Sequence, residues 1–146
     1  MLKTKLVTLV LLSAILLTSL SACSGQSNDG NHLEMMPLDK MPARVQSAPV
    51  LVQTAYQFNA ANPELMKQLP CYCGCGSIGH ESNYDCYIAS VDEKGAITFD
   101  NHALGCSICV DITQDAMRML RDGKSPGEIR AAIDQTYARY GPSTMP

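Results

Sequence analysis

The chain contains no tryptophan and only two phenylalanines among its 146 residues. Large aromatic rings bring the most apolar area per residue, so the core it can bury is modest and a covalent or metal staple is expected. Grouped cations are missing too. Leaving out Lys3 and Lys5, nine basic residues stand against fourteen acidic ones, a net charge of −5. A nucleic-acid binder needs clustered Lys and Arg to neutralise phosphates, so no nucleic-acid partner is expected. Ser/His/Asp arrangements, paired carboxylates, phosphate loops and nucleotide fingerprints are all absent, and nothing in the motifs calls for an enzyme.

The N-terminus indicates a compartment. Lys3 and Lys5 precede an apolar run from Leu6 to about Leu20, which closes on small residues before a cysteine. The run is short and a cleavage-like site follows it, which fits a secretory signal over residues 1–22 rather than a spanning helix. Leu20-Ser21-Ala22-Cys23 is similar to a bacterial lipobox. Under that reading Cys23 is acylated and tethers the chain to a membrane of the cell envelope on its extracytoplasmic side; under the plainer one it is incidental to a simple signal. Residues 23–47 read as a flexible tether, small and polar at first, then carrying Pro37 and Pro42, with Pro49 just beyond. Met35, Met36 and Met41 offer thioethers to copper(I), although a tether needs no such role for them. His32 is read as inert.

A single domain is expected over residues 48–146. It is small, cysteine-rich and mainly α, with a short β-hairpin in the middle and a helix pair at the C-terminus. Leu51, Ala55, Phe58 and Asn62 recur at near-helical spacing. Asn62 and Pro63 then suggest an N-cap and a first helical residue, and Pro70 stops that helix after Leu65, Met66 and Leu69. "CYIASV", a "DEKG" turn and "AITF" suggest the hairpin. Ile108, Ile112, Ala116, Met119 and Leu120 mark one late helix, with Gly123 just past its end. Ser125-Pro126-Gly127-Glu128 is a capping box that opens another, carrying Ile129, Ala132, Ile133, Thr136, Tyr137 and Tyr140.

Six cysteines follow Cys23: Cys71, Cys73, Cys75, Cys86, Cys106 and Cys109, with His80 and His102 among them. In an extended or turning segment, alternate residues share a face with side chains roughly 6–7 Å apart. Gly74 and Gly76 permit tighter curvature and positive φ, which would draw the sulfurs of "PCYCGC" closer. Thiolates so crowded suit a soft ion; copper(I) is the first choice, with zinc and mercury as further guests. Cys106 and Cys109 fall at a predicted helix start, where backbone N–H groups favour thiolate. Six is also an even number in an exported domain, so three disulfides remain open, as does thiol–disulfide exchange at Cys106 and Cys109. His80 and His102 are read either as ligands completing a mixed N/S site or as loop histidines. Tyr72, Tyr84 and Tyr87 are read as packing around the sulfurs.

The stretches "NPELMKQLPCYCGCGSIGHESNYDCYI", "FDNHALGCSICVDI" and "GKSPGEIRAAIDQTYARYG" resemble a family of exported bacterial proteins named for its PCYCGC motif. The resemblance spans roughly residues 50–142. It implies export and a role for metal, but no reaction. It carries over Cys71, Cys73, Cys75, His80, Cys86, His102, Cys106 and Cys109 onto the matching positions. The reading that results is a lipid-anchored, extracytoplasmic protein that sequesters a soft metal or exchanges it with a donor or acceptor protein. A disulfide-stabilised interaction domain is the alternative.

Overall fold

A computed structural model describes residues 33–146. The signal segment 1–22, Cys23, His32 and the start of the tether lie outside the described residues. The packed domain begins earlier than position 48. Leu38–Lys40 form a 3-10 turn and Ala43–Gln46 a short helix, α1. Prolines that read as tether residues act here as starters. Pro37 and Pro42 each hold φ at −57° immediately before a turn, and the Pro42 carbonyl accepts the amides of Val45 and Gln46. Met41 and Val45 are buried in the core. Met36 and Gln57 then tie this segment down, since the Met36 amide donates to the Gln57 carbonyl and the Gln57 side chain donates back.

Helix α2, Val50–Ala61, follows Pro49 and buries Ala55, Tyr56, Phe58 and Asn59. Leu51 was expected on that face, but it is 61% exposed, since it lies in the first turn of the helix, ahead of the buried stretch that begins at Ala55. Pro63–Met66 form α3, with Pro63 at its start. Asn62 makes no side-chain cap. Its amide instead donates to the carbonyls of Phe58 and Glu34, closing the end of α2 and pinning the N-terminal segment. Leu65, Met66 and Leu69 are buried together, delivering the chain to Pro70 at the edge of the core.

The hairpin is present as β1, Ile88–Val91, antiparallel to β2, Ile97–Phe99, with a register irregularity between Ile88 and Ser90. Asp92 organises its turn. The carboxylate accepts the amides of Lys94 and Ala96, and Gly95 sits at φ 81°. The two open ends of this hairpin lie side by side, and the Asp100 amide donates to the Tyr87 carbonyl. It thereby sets Cys86, just before β1, near His102, just after β2.

Helix α4, Ser107–Arg121, packs on α2, and α5, Pro126–Tyr137, packs on α4. α4 buries Cys109, Val110, Ile112, Thr113, Ala116 and Met117, while Ile108, Met119 and Leu120 are only partly covered. Its end is a Schellman closure: Gly123, at φ 76°, donates to Leu120 and Lys124 donates to Met119. The capping box at Ser125 and Glu128 is complete in both directions. Ile129, Ile133 and Tyr137 form the inner face of α5, and Gly141 passes so close to Tyr72 that a Cβ there would meet its carbonyl oxygen at 2.9 Å.

Candidate metal centre

The motif leaves the core as an open turn. Gly74 takes φ 85° and Gly79 φ 93°, bracketing a 3-10 turn at Cys75–Ile78. The left-handed residues are therefore Gly74 and Gly79, and Gly76 has no positive φ. A reversal at Gly74 breaks the alternation expected of an extended segment. The three sulfurs divide between two groups, Cys73 in one and Cys71 with Cys75 in the other.

In the first group, Cys73, His102, Cys106 and Cys109 have ligand atoms that all lie within 4.8 Å of one another. Cys73 Sγ is 3.4 Å from His102 Nε2 and 3.6 Å from Cys109 Sγ. Cys106 is the N-cap residue of α4 and Cys109 follows in its first turn, so the helix start turns both sulfurs toward the motif. Cys71, Cys75 and Cys86 form the second group by the same measure, and all three are buried. Cys75 Sγ and Cys86 Sγ are 3.7 Å apart. Cys71 joins the groups: its Sγ lies 3.4 Å from Cys73 Sγ and 3.4 Å from Cys109 Sγ. All six cysteines are free thiols at these separations, well beyond a disulfide bond.

His80 stands outside both groups. Its ring meets the His102 ring edge to face at 5.2 Å, its Nε2 lies 3.9 Å from Asp100 Oδ2, and its buried Nδ1 has no partner.

The electrostatics follow from crowding. Hydrogen bonds from Cys109, Cys75 and Cys86 converge on Cys71 and hold its thiol far below the ordinary value. The partners are pushed up in exchange: Cys109 and Cys75 through their bonds to Cys71, and Cys86 through its bonds to Cys109 and Cys71. Burial and the charge on Cys71 raise Cys73 as well. The crowding therefore favours a thiolate at Cys71 and protons on its neighbours. A soft cation bound here would take the place of those protons.

Several residues that fix this geometry were not singled out in the sequence. Asp100 accepts the His102 amide at 2.6 Å. Tyr56, from α2, donates its hydroxyl to the Asp100 carbonyl at 2.8 Å. Beneath Cys109 lies a buried polar knot: Thr113 Oγ1 contacts the Tyr87 hydroxyl at 2.9 Å, Asn83 Oδ1 at 2.9 Å and the Asn59 amide at 3.1 Å. The Asn83 amide donates to the Cys109 carbonyl at 3.3 Å. A Thr in the inward stripe of an amphipathic helix was the one available signal for this knot. Tyr72, Tyr84 and Tyr87 are all buried around the cluster; Tyr72 reaches out to donate to Asp134 at 2.6 Å, and Lys67 sits over the Tyr84 ring.

A family model described as "Protein of unknown function with PCYCGC motif" matches residues 12–146. No curated protein and no solved structure matches the chain.

Proposed function

Because the chain belongs to the family of proteins of unknown function with the PCYCGC motif, we propose that its business is the one its sulfurs suit: binding a soft metal ion, copper(I) first, for sequestration or hand-over to a partner protein. The observation that carries this reading is the buried triad of Cys71, Cys75 and Cys86 in direct sulfur contact with a second ligand group. Copper(I) is content with three thiolates and with thiolates shared between ions. Zinc prefers four ligands, and one observation favours it as a second guest: Cys73, His102, Cys106 and Cys109 are a Cys3His set, common in structural zinc sites. Mercury is soft enough for either group. The role proposed is binding rather than catalysis.

The proposed setting is extracytoplasmic, with the protein held on a membrane through lipid on Cys23. The lipobox-like Leu20-Ser21-Ala22-Cys23 supports it. A Cys23→Ser variant is expected to move from the membrane fraction to the soluble one.

The metal reading is tested by titrating the reduced chain with copper(I) and with zinc without oxygen, combined with thiol counting and elemental analysis. Copper(I) uptake with loss of reactive thiols is the expected result. If all six thiols are reduced and no soft metal binds, the proposal is wrong.

A further inference from the structure

Seven donors are too many for one ion. A d10 ion takes two to four ligands, so a single copper(I) or zinc ion leaves at least three of these groups idle. The donors also differ in access. Cys71, Cys75 and Cys86 are 0%, 3% and 0% exposed. In the other group only Cys109 is fully buried, and Cys73, His102 and Cys106 each reach partway to the surface. A shallow groove bordered by Pro49, Leu51, Leu104, Gly105 and Val110 opens onto Cys106. Sulfur then follows sulfur inward: Cys73 and Cys109 touch Cys71, and Cys71 completes the triad with Cys75 and Cys86.

Resting on the metal reading above, we propose that the centre holds two ions in unequal positions. Cys73, His102, Cys106 and Cys109 form an outer exchange position, Cys71, Cys75 and Cys86 an inner retention position, and Cys71 is the sulfur across which an ion passes between them. Each move inward forms one metal–sulfur bond as another breaks. The ion keeps its charge throughout, and protons displaced from the incoming thiols leave to solvent. The outer position is where a donor or acceptor protein can present its own thiolates, because Cys106 is the ligand that the groove reaches. The inner ligands are buried among the described residues, so an ion there leaves by way of the outer ligands.

The test uses the reduced chain loaded with copper(I) under argon, counted by native mass spectrometry and challenged with the chelator bathocuproine disulfonate. Two ions per chain are expected, one removed at once and the second at least about tenfold more slowly. Cys106→Ser is expected to keep the slow ion and to load it more slowly. Cys86→Ser is expected to keep only a fast one. Should Cys86→Ser lose its helical circular dichroism, Cys75→Ser removes the same position from an exposed turn. Binding of one ion only, release of both at one rate, or loss of the slow ion in Cys106→Ser would each overturn the two-position proposal while leaving metal binding intact. Failure to bind any ion would instead remove the metal reading and this inference with it.

Discussion

Cys71 and Thr144 are 73 positions apart, and Thr144 holds both backbone polar groups of Cys71: the Cys71 amide donates to Thr144 Oγ1 at 2.9 Å, and the Thr144 amide donates to the Cys71 carbonyl at 3.0 Å. The C-terminal segment therefore fixes the backbone of the cysteine that joins the two ligand groups. Thr144→Val keeps the shape but leaves a partly buried N–H unpaired, which costs about 1–3 kcal/mol. Thr144→Ser restores the acceptor. A urea midpoint lowered in the valine variant and recovered in the serine variant is the expected outcome. Equal midpoints for wild type and valine would show that the tail contributes nothing at Cys71.

The two glycines of the motif make separable demands. Gly74 sits at φ 85° with no neighbour within 4 Å of a Cβ, so its requirement is conformational. Gly74→Ala should cost about 1–2 kcal/mol, the penalty of a left-handed L-residue, with Gly74→Asn less affected. Gly76 has no such φ, and a Cβ there meets Thr144 Cγ2 at an ordinary 3.6 Å. Gly76→Ala is expected to melt close to wild type. Two equally destabilised variants would contradict the assignment of the turn to Gly74.

Local chemistry was legible in the sequence where one residue decides the outcome. Pro63 starts its helix, Gly123 closes α4, and Ser125 with Glu128 caps α5, all through contacts within a few residues. The hairpin followed from alternation and a turn at Gly95. Reading failed where tertiary packing decides. Proline-rich residues 37–46 carry no apolar period, yet Met41 and Val45 are core residues because α2 supplies the surface that they fill. The gathering of cysteines could be anticipated from their density. Their division into a quartet and a triad could not, since it depends on tertiary packing that sets Cys86 against Cys75 and His102 against Cys73. His80 shows the limit of proximity in sequence: it lies five residues from Cys75 and joins neither group.

Thr113 is the hub beneath Cys109. Its hydroxyl meets Tyr87, Asn83 and Asn59 in a fully buried site. Thr113→Val is nearly isosteric, yet it strands the Tyr87 hydroxyl and Asn83 Oδ1, at an expected cost of about 1–3 kcal/mol. Tyr87→Phe in the same background should recover part of that loss, because it removes one stranded group. Additive losses in the double variant would mean that the two hydroxyls do not interact, which a double-mutant cycle measures directly.

Glu128 supplies the pH dependence. The Ser125 amide and hydroxyl, with Lys124, hold its carboxyl down to about 2 from an ordinary 4.5. A lowered folded value means that the capping box stabilises fully above about 4.5 and that this contribution fades as pH falls toward 2. A carboxyl-detected NMR titration should find the Glu128 midpoint well below the ordinary glutamate value of 4.5. In Ser125→Ala the midpoint should return toward 4.5. An unmoved midpoint in that variant would disconnect the shift from the cap.

The contacts of Cys71 separate a metal centre from a set of covalent staples. Its sulfur is equally near Cys73 and Cys109, at 3.4 Å from each. A disulfide admits one partner, whereas a thiolate can serve two ions. If the domain is held by metal, the metal-free chain exposed to dioxygen should give mixed bridges at Cys71, each formed by loss of two electrons to the oxidant. The copper(I)-loaded chain should keep its thiols far longer, because bound sulfurs are not free to attack. Peptide mapping without reductant reads both outcomes. Cys73→Ser then decides between the two kinds of staple. Under the metal reading it lowers copper(I) stoichiometry and leaves the melting of the reduced metal-free chain almost unchanged, since Cys73 is only partly buried. With structural disulfides, the freshly purified chain should show three fixed bridges, and the same substitution should cost about 2–5 kcal/mol with or without metal.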